Sequence, residues 1–184
     1  MPESPVSPSL KRFFDRLVRR SLSDLRLASE PVADYLGSLL ARFARTEQLY
    51  AVRGAAGQRL ETVVDLLHEA RRAWAFDAPD FDPFRERDIR RHLGDYTLFM
   101  LGIFREYVER RASTDLYVRE GKRAYQVVAD FQRSALKPDA RLFSELALEF
   151  EGYVGALRYM KRAYLRASEP PVSFGPVLRL LTEW

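Results

Sequence analysis

The chain has 184 residues, 47% apolar and 30% charged, with a formal net charge of +4 and no cysteine. This balance describes one globular domain able to bury a core, and excludes global disorder. The lack of cysteine excludes disulfides, thiolate metal sites and cysteine nucleophiles, and it fits a reducing, cytoplasmic setting.

Lysine occurs only at Lys11, Lys122, Lys137 and Lys161, so arginine supplies nearly all the positive charge. Arginine codon bias explains this, as does selection for guanidinium groups that grip phosphate or carboxylate at two points. Acidic residues are interspersed throughout, so the whole-molecule field barely favours nucleic acid. Met1 to Pro8 holds three prolines and no apolar stretch, unlike a secretory signal, and is expected to be a flexible tail. The most apolar run, Leu98 to Phe104, is far shorter than the roughly 20 residues of a membrane span.

Apolar residues recur at helical spacing almost everywhere. Pro8 and Ser9 open a first helix with Leu10, Phe13, Phe14, Leu17 and Val18 on one stripe, running to about Ser21. Ser29 as cap and Pro31 in the first turn start a second, reaching about Arg45. Gly54-Ala-Ala-Gly57 breaks the pattern. A third helix is expected from Gln58 to Ala75, with Leu60, Val63, Val64, Leu67 and Trp74 facing the core.

After a turn-rich loop, Asp82 caps a fourth helix that begins at Pro83 and runs to about Arg111. Its stretch Thr97 to Phe104 is apolar on all sides, which marks a helix surrounded by others. Gly94 and Gly102 would let neighbouring backbones approach there, although each costs about 1 kcal/mol in helix propensity. Ser113 or Thr114 caps a fifth helix ending near Ala135. A sixth begins at Pro138 and carries the seam Phe143, Leu146, Phe150, Val154, Leu157, Met160 and Tyr164. Pro170-Pro171 ends it, and a short apolar helix is expected from about Pro176, carrying Leu180, Leu181 and Trp184.

The fold expected is therefore all-α: one helical-bundle domain over residues 9–184, with six to seven helices around a buried central helix at 83–111.

The two histidines give the natural places for chemistry near neutral pH. Glu61, Asp65 and His68 share one face of the third helix, and Asp88, His92 and Asp95 share one face of the fourth. Facing helices that project carboxylate and imidazole inward can hold a metal or small ligand. Against this, the first set sits on the flank of its apolar stripe, and the paired Glu-x-x-His pattern of di-metal bundles is missing. The plainer expectation leaves His68 in solvent and His92 hydrogen-bonded to Asp88 or Asp95. Asp95 leads into the most apolar stretch and needs a partner such as Arg91, Arg105 or the Tyr125 hydroxyl.

A phosphate-binding glycine loop and a nucleophile elbow are both lacking. Arg12, Arg16, Arg19 and Arg20 line the polar side of the first helix. Such a helix can rest on an anionic membrane surface, dock in a partner's groove or contact phosphates, or simply present a solvated face. The leading expectation is a non-enzymatic module without a cofactor that binds another protein or itself, its apolar C-terminal end packing back on the bundle or completing a dimer contact. Ligand or metal binding around His68, His92 and Asp95 is the first alternative. Weak nucleic-acid or anionic-lipid binding through the basic helix is the second.

Overall fold

A computed structural model describes residues 8–27, 29–75 and 81–165 of the chain. The described residues form nine α-helices and one π-helical turn, with no strand beyond an isolated antiparallel bridge between Arg53 and Arg59. The helices are α1 (Pro8–Asp24), α2 (Glu30–Phe43), α3 (Thr46–Leu49), α4 (Val63–Trp74) and α5 (Pro83–Ile103). They continue with α6 (Arg105–Arg111), α7 (Thr114–Ser134), α8 (Ala140–Leu148) and α9 (Phe150–Met160), and the π turn covers Lys161–Leu165. The protein is all-α, as expected. The expected tail before Pro8 and the expected terminal helix lie outside the described residues.

Every residue from His92 to Ile103 in α5 is buried, which is the environment expected for a helix apolar on all sides. Asp82 starts this helix, its Oδ1 accepting from the Phe84 and Arg85 amides at 3.0 Å each. The expected run to Arg111 is interrupted: Phe104 leaves helical geometry (φ −118°, ψ 36°), and α6 begins after it. Likewise the sixth predicted helix is divided at Glu149 (φ −99°, ψ 23°) into α8 and α9.

The chain forms two compact units. The first draws on residues within 1–48, 99–112 and 151–184. Here α1 and α2 meet through Phe13, Phe14, Leu17, Val32, Leu36 and Leu40, all buried. Gly102 is tight against α9, since a Cβ added there would come within 2.6 Å of Leu157 Cβ. Phe99 stacks edge-on against Phe43 and Phe104, with ring centroids 5.3 and 5.6 Å apart.

The second unit comprises 49–98 and 113–150. Its core joins Leu93, Tyr125, Val128, Phe143, Leu146 and Phe150. Gly94 admits the Tyr125 ring, which lies 2.7 Å from where a Cβ would be. The predicted core face of the third helix needs correction. Val63, Leu66, Ala70 and Ala73 are buried, while Val64 and Trp74 are 63% and 58% exposed. The helix starts later than expected because Thr62 and Asp65 form a capping box, and Arg59 is held in the bridge to Arg53.

Both α1 and α7 end in the same hydrogen-bonded motif. Leu27 N–H bonds Leu22 O and Arg26 N–H bonds Ser23 O; in α7, Lys137 N–H bonds Gln132 O and Leu136 N–H bonds Arg133 O. The motif requires a left-handed residue, usually glycine, yet these positions hold Arg26 (φ 58°) and Leu136 (φ 53°). A left-handed side-chain-bearing residue costs roughly 1–2 kcal/mol.

Candidate functional site

The predicted polar residues separate into caps, surface groups and one buried seam. Asp65 is a cap: its Oδ2 accepts from the Thr62 amide at 3.0 Å while its own amide donates to Thr62 Oγ1 at 3.1 Å. Glu61 and His68 are exposed. Asp88 is exposed and pairs with its neighbour Arg87 at 2.6 Å.

His92 and Asp95 are buried. The His92 ring bonds the Leu49 carbonyl through Nε2 at 3.1 Å; a carbonyl only accepts, so Nε2 carries the proton. Asp95, 1% exposed, accepts the Tyr125 hydroxyl at 2.8 Å, one of the partners anticipated for it. Nearby, Tyr96 donates to Glu61 O at 3.3 Å and Thr97 to Leu93 O at 2.8 Å. Among the described residues, no three His, Asp or Glu side chains converge so as to hold a metal. Each seam group is satisfied from within the protein, as buried polar atoms generally are.

The basic first helix is largely engaged as well. Arg19 pairs with Glu30 at 3.0 Å, Arg12 Nε donates to the Pro8 carbonyl at 3.2 Å, and Arg20 lies over the Tyr164 ring at 4.4 Å. Arg16 is exposed. Lys11 bridges Asp15 at 2.8 Å and Asp34 at 2.6 Å. Burial pulls the Lys11 ammonium down, but the hydrogen bonds and charges of these two carboxylates outweigh it and hold its pKa above the ordinary value. No helix among the described residues is long and apolar enough to cross a membrane.

Three polar arrangements escaped the sequence reading. Lys161, 6% exposed, donates from Nζ to the Ile103 carbonyl at 2.6 Å, where α5 ends. Buried Glu69 accepts the Ala55 amide at 2.9 Å and Arg85 Nη2 at 2.5 Å, and the same Arg85 nitrogen reaches the Arg53 carbonyl at 2.9 Å. Tyr159 and Tyr164 both donate to Asp24 Oδ2. Nothing in residue spacing forecasts these pairings, because each joins segments distant in the chain.

Among the described residues, an open concavity lies in the second unit where α7 meets α8. Its volume is about 610 Å³ and it is lined by Arg133, Ala140, Arg141, Ser144, Glu145, Leu148 and Glu149. Leu148 at its margin is 72% exposed, and Leu136 on the α7–α8 turn is 92% exposed. Arg133 Nη2 bonds Ser144 Oγ at 3.1 Å, linking α7 to α8. Arg141, Ser144, Glu145 and Leu148 follow helical spacing and therefore share one face of α8. The opposite face buries Phe143, Leu146 and Ala147. The groove can accept an apolar side chain and offers charges of both signs around it, which suits a protein surface better than a reaction centre.

Compared with known protein families, curated proteins and solved structures, the chain matches none.

Proposed function

We propose that this chain is a helical protein-interaction module, with the α7–α8 surface as its contact site. The observation that carries the reading is Leu148, 72% exposed in the lining of an open groove, with Leu136, 92% exposed, on the turn that joins the same two helices. A single exposed leucine is ordinary, but one lining a concavity with a second on the adjoining turn resembles the anchor residues of an interface. A cytoplasmic setting is part of the proposal and rests on the cysteine-free sequence.

Ligand binding at the histidines has less support, since His92 and Asp95 are engaged inside the protein and His68 stands apart in solvent. The test compares the full chain with its Leu148→Gln variant for self-association and for retention of proteins from an extract. The reading expects an association that the variant loses. A chain that neither self-associates nor retains anything in a Leu148-dependent manner refutes it.

A further inference from the structure

Three features of the α7–α8 surface work against the isolated chain. Leu136 occupies a left-handed position at φ 53° where glycine is the favoured residue, and its side chain is 92% exposed. Leu148, on the exposed face of α8, is 72% exposed. The charges exposed on that face also run against the helix dipole, with Arg141 in the first turn and Glu149 at the C-cap; the acidic N-cap Asp139 alone favours it.

This charge order has a particular symmetry. The face reads positive at its N-terminal end, small and polar at Ser144, then acidic at Glu145 and Glu149 with Leu148 between. Set against an identical helix running the opposite way, each Arg141 meets the acidic end of the other, and the two dipoles are antiparallel. A two-fold interface needs this self-complementarity, in which a residue i faces j while j faces i. Ser144, near the middle, is small, and the Arg133 guanidinium that bonds its hydroxyl has its charge met by Asp130 of the same copy.

We infer that the partner is a second copy of this chain, docked by antiparallel pairing of α8 with α8 about a two-fold axis near Ser144. Leu136 and Leu148 of each copy are buried in that contact, and Arg141 pairs with Glu145 and Glu149 across it. The inference rests on the interaction reading above and adds the identity of the partner and the geometry of the contact.

Light scattering over a range of concentrations, on the full chain and four variants, tests it. The parent is expected to be a dimer. Leu136→Gly and Leu148→Gln each weaken dimerisation by about tenfold or more, as expected when a buried leucine anchor is lost. Leu136→Gly also relieves the backbone, so a folding defect does not confound that result. Arg141→Glu alone, and Glu145→Arg with Glu149→Arg, each give monomers, because like charges then meet across the axis. Mixing these two charge-reversed proteins restores a heterodimer, since one copy then carries only acidic groups at these positions and the other only basic ones.

A parent that stays monomeric at every concentration overturns the inference, the groove then taking another protein or the chain's own end. If that monomer still retains a protein in a Leu148-dependent manner, the interaction reading stands without the dimer. If it retains none, both fall. A dimer unaffected by all four variants, or charge-reversed proteins that do not pair on mixing, also overturns the inference.

Discussion

The Tyr125 hydroxyl donates to Asp95 at 2.8 Å while the Tyr125 ring fills the space left by the missing side chain of Gly94, only one residue from that carboxylate. One side chain thus both packs α7 against α5 and supplies a donor to a charge that is 1% exposed. Removing the hydroxyl keeps the packing and takes away the donor. Tyr125→Phe is expected to cost about 1–3 kcal/mol, the usual penalty for depriving a buried group of a hydrogen bond. Urea denaturation checks it; a loss below a few tenths of a kcal/mol would show that Asp95 is held by other groups.

Gly102 faces a different neighbour. A Cβ there would meet Leu157 Cβ at 2.6 Å, and a Cβ cannot swing aside as a side-chain tip can. Gly102→Ala gains about 1 kcal/mol in helix propensity, but overpacking costs about 1–3 kcal/mol. A net loss of thermal stability is expected, and a rise in the unfolding midpoint would contradict the close approach.

Lys161 should behave as a fixed structural donor. Its Nζ satisfies the Ile103 carbonyl at the break between α5 and α6 and lies 5.8 Å from the Phe104 ring centre. Lys161→Met preserves the stem and removes the donor, so a loss of about 1–3 kcal/mol is expected. Calorimetry reads this directly; an unchanged stability would mean that the carbonyl finds another donor.

Tyr164 gives a pH-dependent prediction. Its hydrogen bonds to Asp24 and Tyr159 push its pKa up from 10.0 to about 12. The folded state therefore keeps this proton at pH values where the unfolded chain releases it. The contribution to stability is complete below about pH 10 and declines as pH rises towards 12. Comparing tyrosinate absorbance of the parent and Tyr164→Phe checks the titration: the tyrosine removed by the substitution should be one that ionises late.

The two histidines should respond oppositely to substitution. His68→Ala, at an exposed position, is expected to change stability by less than about 0.5 kcal/mol. His92→Ala removes a buried ring and its bond to Leu49 O, and should cost more than about 1 kcal/mol. Equal effects in denaturant titrations would overturn the division between a solvated and a structural histidine.

Much of the fold is legible in the sequence wherever a strong local signal exists. Asp82 capping α5, Ser113 capping α7 through the Leu116 amide, and the seam from Phe143 to Met160 all follow from residue type and spacing. The face of α4 is not legible in this way, because Val64 and Trp74 fit a helical stripe if the helix starts near Gln58. The Thr62–Asp65 box moves that start and rotates both outward. It also explains why Asp65, which spacing offers as a ligand, is a cap.

The break at Phe104 has no proline to announce it. Leu136 reads as an ordinary apolar residue, since nothing in its periodicity shows a left-handed backbone. The candidate surface thus depends on conformation and exposure, two properties that spacing does not encode.

Glu69 carries a consequence for how the molecule breathes. Its carboxylate sits on α4, yet it accepts the amide of Ala55 in the loop before that helix and binds Arg85 of α5. Ala55 is an exposed residue, and amide protons of exposed loops normally exchange with solvent quickly. Here that proton is released only when the carboxylate lets go, so the exchange rate at Ala55 should follow the opening of α4 rather than the motion of the loop. Residues 53–59 and α4 would then open as a single cooperative unit, with one surface amide reporting on both.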